Sequence, residues 1–123
     1  MSTPHDILRT ALNSIAPYYP GKFPQESGAP TWPAIRGTIV SRQNDPDQCG
    51  GGLLTSDTVR VQIDVCAVTY TAVEGIMSSV VTALDALTNP QVLREPGGFD
   101  AWDAEAKVHR MSADFLILQS TPI

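Results

Sequence analysis

The fold class is decided by residues 58–87, TVRVQIDVCAVTYTAVEGIMSSVVTALDAL, in which one strand is followed almost directly by one helix. The first half alternates in polarity with a period of two, which is typical of a strand with one buried face. Arg60, Gln62 and Asp64 occupy the polar side of this alternation. The apolar side consists of Val59, Val61, Ile63, Val65 and Ala67. The pattern therefore predicts a half-buried sheet strand.

A helix is predicted directly after that strand. Thr71 and Glu74 have the spacing of a capping box, in which two side chains satisfy unpaired amides at the start of a helix. Apolar residues then recur at helical spacing, so that they share one face. These residues are Val73, Ile76, Met77, Val80, Leu84 and Leu87. The helix is therefore expected to pack this face on the sheet.

The other segments predict one more helix and three more strands. Thr3 is the expected N-cap of the first helix, Pro4 suits its first turn, and Pro17 is expected to stop it. Strands are predicted at 34–42, at Val92 and Leu93, and at 108–118. Residues 18–33, 43–57 and 95–106 are predicted to be connections or projecting hairpin tips. We therefore expect one domain over residues 1–123, of class α+β, with two layers. Its antiparallel, mostly four-stranded sheet is expected to carry both helices on one face, with long loops.

Composition disfavours several classes of partner. The net charge is −5, and the eight basic residues are scattered singly, so no surface for nucleic acid is expected. The apolar runs are far shorter than the ~20 residues that cross a bilayer, and the first residues do not resemble a signal peptide. No membrane association is expected. Cys66 is expected to be a packed thiol and Cys49 an incidental one; a disulfide between them is disfavoured without an export signal.

The sequence holds no recognisable catalytic set. It has no phosphate-binding glycine motif and no Cys or His pair at zinc spacing, and His5 and His109 are far apart. We therefore expect no enzyme activity and no cofactor. Asp100, Asp103 and Glu105 are weak candidates for a metal site, because carboxylate oxygens suit hard cations. Their spacing is not that of a calcium loop, so a solvated acidic hairpin tip is the favoured alternative.

Four apolar residues stand in segments that are predicted to project from the domain: Leu53, Leu54, Phe99 and Trp102. Exposed aromatic and leucine side chains of this kind mark surfaces for protein partners. The alternative is that the hairpin tips fold back and bury these side chains on their own domain. Both interpretations remain open at the level of sequence.

Three segments, taken in order, carry a family resemblance. The first is Trp32-Pro33-Ala34-Ile35, the second is VRVQID from Val59 to Asp64, and the third places Arg110, Ser112, Asp114 and Phe115 on the last strand. Their order and spacing resemble those of the tail terminator, or tail completion, proteins of long-tailed bacteriophages. The likeness covers roughly residues 5 to 118. The segments 43–57 and 95–106 depart from the family pattern.

The resemblance implies a structural protein of the virion, assembled in the host cytoplasm. Members of the family form a ring, commonly a hexamer, at the head-proximal end of the tail tube, where it stops tube polymerisation and offers a docking face to the head connector. The implied partners are further copies of the chain, the tail tube protein and the connector. DNA would pass through the lumen without specific binding, which a net negative charge suits.

A closed ring needs a heterologous interface, in which two different patches of neighbouring subunits meet. Leu53, Leu54, Phe99 and Trp102 are the residues that we expect in that interface. Two alternatives are kept, namely a neck or head-completion protein, and a non-viral α+β binding module with its ligand between the helices and the sheet.

Overall fold

A computed structural model describes residues 3–21, 32–46, 54–88, 91–104 and 107–122. Within these residues the chain forms two helices and six strands. The helices are α1 (Pro4–Leu12) and α2 (Tyr70–Asp85). The strands are β1 (Tyr18–Pro20), β2 (Ala34–Pro46), β3 (Leu54–Ala67), β4 (Gln91–Arg94), β5 (Phe99–Asp103) and β6 (Val108–Pro122).

All six strands belong to one mixed sheet, in the order β1-β2-β3-β6-β4. β5 also pairs with β6, at residues 108–112, whereas β4 pairs with β6 at residues 115–118. β1 is parallel to β2, and the other pairs are antiparallel. The α+β class is therefore confirmed. The prediction of a four-stranded, purely antiparallel sheet is wrong, because β1 and β5 formed in segments that had been assigned to a connection and a hairpin tip.

The extra strand β1 is held in place through its first residue, Tyr18. α1 ends at Leu12, well before Pro17, and the Asn13 side chain then accepts a hydrogen bond from the Tyr18 amide at 3.1 Å. The Tyr18 ring lies over Gly37, where any Cβ would overlap the Tyr18 hydroxyl group. This close approach accounts for the glycine inside β2. It lets β1 pair with β2 beside it.

The extra strand β5 depends on the turn that precedes it. Gly97 and Gly98 have φ angles of +108° and +118°, which side chains of L residues rarely allow. A Cβ on Gly98 would lie 2.6 Å from the Ser112 carbonyl oxygen. Glycine therefore lets the chain approach β6 closely enough for β5 to pair with it.

The hairpin between β2 and β3 is longer than predicted. Its ladder continues from Gln43↔Thr58 to Pro46↔Thr55, and β6 extends beside it to the pair Leu54↔Pro122. The prediction of a loop over residues 43–57 is therefore wrong at both ends, and residues 47–53 lie outside the described chain. The reason is that these strand ends are mostly polar, so they show no hydrophobic alternation, although their backbone groups pair.

The hydrophobic core lies between the sheet and both helices. β3 contributes the apolar face that its alternation predicts, and β6 contributes Ala113, Phe115 and Ile117. The helices contribute Leu8, Leu12, Val73, Met77, Val80 and Leu84. We call this side of the sheet the core face.

The two helix starts differ in how well the sequence predicted them. Thr3 caps α1 in a capping box with Asp6, as its position suggested. α2 starts two residues earlier than expected, because its N-cap is Thr69, whose hydroxyl oxygen accepts from the Ala72 amide at 3.2 Å. The predicted capping box of Thr71 and Glu74 is therefore wrong, since Thr71 already lies inside the first helical turn.

Candidate functional site: the polar face and the aromatic edge

The other side of the sheet, which we call the polar face, is organised around Asp64. This residue is completely buried, although both helices pack on the core face. Its Oδ2 accepts hydrogen bonds from Arg36, through Nε at 2.9 Å and through Nη2. Its Oδ1 accepts from Gln62 Nε2 at 3.0 Å and from Ser112 Oγ. With both oxygens occupied, the carboxylate has no free position for a ligand or a substrate proton.

A second ion pair lies further along the polar face. Arg60 Nη2 is 3.3 Å from Asp114 Oδ2, and the two side chains are 41% and 32% exposed. An exposed pair of this geometry contributes little stability. Together with the Asp64 cluster it links β2, β3 and β6. These are the strands that carry the three motifs of the resemblance, so the polar residues of those motifs serve to join strands.

Cys66 and Arg110 face each other near one end of the polar face. Cys66 is buried, and burial, followed by the nearby charge of Asp64, raises the pKa of its thiol to about 11. The guanidinium carbon of Arg110 lies 5.9 Å from the centre of the Phe99 ring. The prediction of a packed thiol at Cys66 is confirmed; Cys49 lies outside the described residues.

Trp102 and its neighbours form what we call the aromatic edge, made of Tyr70, Phe99, Trp102 and His109. Trp102 is 55% exposed, and its ring centre lies 4.8 Å from that of His109. Tyr70 contacts the same histidine edge-on, at 5.7 Å. Its hydroxyl group donates to Asp100 Oδ2 at 2.6 Å, and this hydrogen bond is the main cause that raises the pKa of Tyr70.

Phe99 lies at the same edge as Trp102, but its side chain is on the opposite face of the sheet. It is 52% exposed and lies against Arg110, whereas Trp102 lies against His109. Because neighbouring residues of a strand point to opposite faces, these contacts put the two aromatic rings on opposite sides of β5. The edge therefore presents apolar surface on both sides of the strand.

Leu54 does not lie at this edge. Leu54 is the first residue of β3, and its backbone pairs with Pro122. β5 lies level with the opposite end of β3, because it pairs with the first residues of β6. Leu53 lies outside the described residues. The assignment of all four residues to a ring interface stays a prediction.

The candidate metal ligands are not assembled into a site in the described part of the chain. Asp100 and Asp103 are three residues apart in β5, so their carboxylates leave opposite faces of the strand. Asp100 accepts from Tyr70, and Glu105 lies outside the described residues. Among the described residues no group of three His, Cys, Asp or Glu side chains is placed to hold a metal ion.

Sequence reasoning missed the environment of His109. This residue is half-buried between Tyr70 and Trp102. The three rings come from α2, β5 and β6, which are distant in sequence. Only the pairing of β5 with β6 brings them together, and that register is not evident from the sequence.

A groove runs beside α2 on the core face. It consists of two adjoining cavities of about 290 and 280 Å³ that share Met77, Arg94 and Met111 in their walls. Phe99 and Asp100 line the first cavity, and Glu74 and Val81 line the second. Methionines in such a wall adapt readily to apolar groups of different shape.

No family model matches this chain, and no curated protein matches its sequence. Neither helix of the described chain is long and apolar enough to cross a membrane. Function must therefore be argued from the residues and their arrangement.

Proposed function

We propose that this chain is a tail terminator of a long-tailed bacteriophage, a structural protein of the virion that assembles in the host cytoplasm. It would form a ring, commonly of six copies in the family that it resembles, at the head-proximal end of the tail tube. The ring would stop tube polymerisation and bind the head connector. DNA would pass through its lumen without specific binding.

The observation that carries this proposal is the convergence of the three motif segments. Arg36, which directly follows the first motif, binds Asp64 of the second, and Asp64 also accepts from Ser112 of the third. Arg60 of the second motif pairs with Asp114 of the third. Residues that define a resemblance are expected to share a physical task, and a common strand-joining network supplies one.

The same network supports a structural role instead of an enzymatic one. Catalysis needs groups that remain free to exchange a proton or bind a substrate. The Asp64 carboxylate is fully hydrogen-bonded, and the Cys66 thiol is buried with its pKa raised to about 11. We therefore propose that the chain is not an enzyme and needs no cofactor.

The aromatic edge supports assembly with protein partners. Phe99 and Trp102 are both more than half exposed on one edge strand. Exposed aromatic side chains are enriched at protein interfaces, since they bury much area at little entropic cost. We propose that these two residues lie in contacts of the ring, and that Leu53 and Leu54 lie in contacts with the tube, the connector or a neighbouring copy.

The direct test is tube termination. Tail tube protein is polymerised with and without this chain, and tube lengths and ends are recorded by electron microscopy. We expect shorter tubes that carry an extra ring at one end only. Tubes of unchanged length and bare ends would contradict the proposal. If the chain binds purified connector but ignores tubes, it is a neck or head-completion protein instead.

A second candidate is favoured by one observation. The groove beside α2 has Met77 and Met111 in its shared walls, which suits an apolar ligand of a binding module, and the charge of Arg94 is balanced there by Asp100 and Glu74. Titration with an uncharged apolar ligand, 1-decanol, followed by tryptophan fluorescence and by calorimetry, tests it. Saturable binding that Met111→Asp abolishes would favour the module; no binding by either measurement would contradict it.

A further inference from the structure

We propose that the two outer edges of the sheet are the two halves of one head-to-tail contact between copies of this chain. The β4–β5 edge of one copy would meet the β1–β2 edge of the next copy. This inference rests on the ring proposed above and assigns the surfaces that close it.

Strand direction permits this contact. β2 is antiparallel to β3, and β3 is antiparallel to β6, so β1, β2 and β6 run in one direction. β4 and β5 run in the opposite direction, because both are antiparallel to β6. When two copies stand side by side in the same orientation, the strands at their junction are therefore antiparallel. Antiparallel neighbours can pair directly, without any crossover.

Both edges have backbone groups available in the described chain. β1 covers only Ile35 to Gly37 of β2, and no described strand pairs with the outer side of β2 from Thr38 onward. On the other side, no described strand pairs with the outer side of β5. Edges with unpaired N–H and C=O groups act as templates for another strand.

Exposed apolar side chains occur at both edges. Val40, at the irregularity of β2, is 54% exposed. At the opposite edge Leu93, Phe99 and Trp102 are 41%, 52% and 55% exposed. A head-to-tail contact would remove apolar surface from water on both sides of the same junction, which is the main favourable term in association.

Charge favours the contact between unlike edges. β5 carries Asp100 and Asp103 and no basic residue, whereas β2 carries Arg42 and Asp45 besides Arg36, which is paired with Asp64. Arg42 is exposed, and so is Arg9 on α1, which packs beside β1 and β2. Pairing β5 with β5 of a two-fold related copy would instead bring carboxylates together, and like charges across a strand pair are destabilising. The unlike pairing is therefore the one that electrostatics supports.

Complementary variants test the proposal. Trp102→Asp damages one edge and Val40→Asp damages the other, and both side chains are more than half exposed, so folding should survive. Val68→Asp is the matched control, since Val68 is 62% exposed but follows the inner strand β3. Circular dichroism verifies the fold of each variant, and light scattering after gel filtration measures its mass.

We expect the wild type and Val68→Asp to assemble and each edge variant alone to be monomeric. A mixture of the two edge variants should give a one-to-one dimer and nothing larger, because one undamaged junction can form between them. If either edge variant still assembles like the wild type, if the mixture stays monomeric, or if the wild type is monomeric even at millimolar concentration, the inference is overturned.

Failure of this inference is distinguishable from failure of the proposed function. Wild-type rings that cap tubes, together with edge variants that still form rings, would reject the junction and leave the function standing. Rings that dissociate as predicted in both edge variants, but never bind a tube end, would reject the function and keep the junction.

Discussion

The two faces of the sheet are both buried at their centres, but they are stabilised by different physics. On the core face Ile63 is completely buried among apolar side chains of the helices and of β6. One residue further along β3, Asp64 is equally buried on the polar face, where hydrogen bonds from Arg36, Gln62 and Ser112 replace its water shell. The comparison shows that burial alone does not indicate which interaction holds a strand.

Ile63→Asp should produce the largest effect. It places a charge without a partner among apolar side chains, and the cost of that transfer exceeds the usual range of point mutations. We expect a loss of more than about 4 kcal/mol, enough to unfold a domain of this size. Urea denaturation followed by circular dichroism measures it. Trp102→Ala, at an exposed site, is the control and should change stability by less than about 1 kcal/mol.

Asp64→Ala tests the polar face. It leaves the Arg36 guanidinium, which is only 24% exposed, without its carboxylate. Removing one partner of a buried pair costs about 3–5 kcal/mol, and we expect the lower end because Arg36 retains some water. Asp114→Ala is the matched control, since its pair with Arg60 is exposed and should contribute less than about 1 kcal/mol. Equal losses in the two variants would show that the two ion pairs do not differ as described.

The core face could be predicted from sequence, whereas the polar face could not. Alternation in β3 identified Ile63 and its neighbours as core, because apolar side chains at a period of two have only one favourable environment. The same alternation predicts that Asp64 lies on the side of the strand that faces solvent. Its burial depends on Arg36 and Ser112 arriving on neighbouring strands in one register, which is information held by the fold and not by β3 alone.

The aromatic edge was not predicted from the sequence, for a related reason. FDAWD, the sequence of β5, is acidic and short, so it was assigned to a hairpin tip. The strand forms because Gly97 and Gly98 allow the chain to reach β6. Similarly, Thr71 was expected to cap α2, whereas the N-cap with extended backbone is Thr69.

Gly98→Ala tests whether that glycine turn holds the edge to the sheet. A methyl group would meet the Ser112 carbonyl oxygen at 2.6 Å, at a φ of +118°. Strain of this kind costs about 1–3 kcal/mol. Gly75→Ala is the opposing control, because Gly75 lies inside α2 with open space around it and should gain about 0.5–1 kcal/mol. Hydrogen exchange should show that the loss in Gly98→Ala is concentrated in β5, and uniform loss across the sheet would contradict this account.

The smallest expected effect concerns Cys66, and it tests whether water reaches this thiol on the polar face. Burial raises the pKa of this thiol from 9.0 to about 11. Its contribution to stability is therefore complete below pH 9 and is lost as the pH rises towards 11, because only the unfolded thiol ionises in that interval. At pH 10 the loss is about 1 kcal/mol. Tyr18 also affects stability in this interval, because burial raises its pKa in the folded protein and only the unfolded chain ionises it there. The measurement is therefore the difference in urea unfolding between the wild type and Cys66→Ala at pH 7.5 and pH 10. A difference that is independent of pH would mean that water reaches the thiol, and that the polar face is dry only around Asp64.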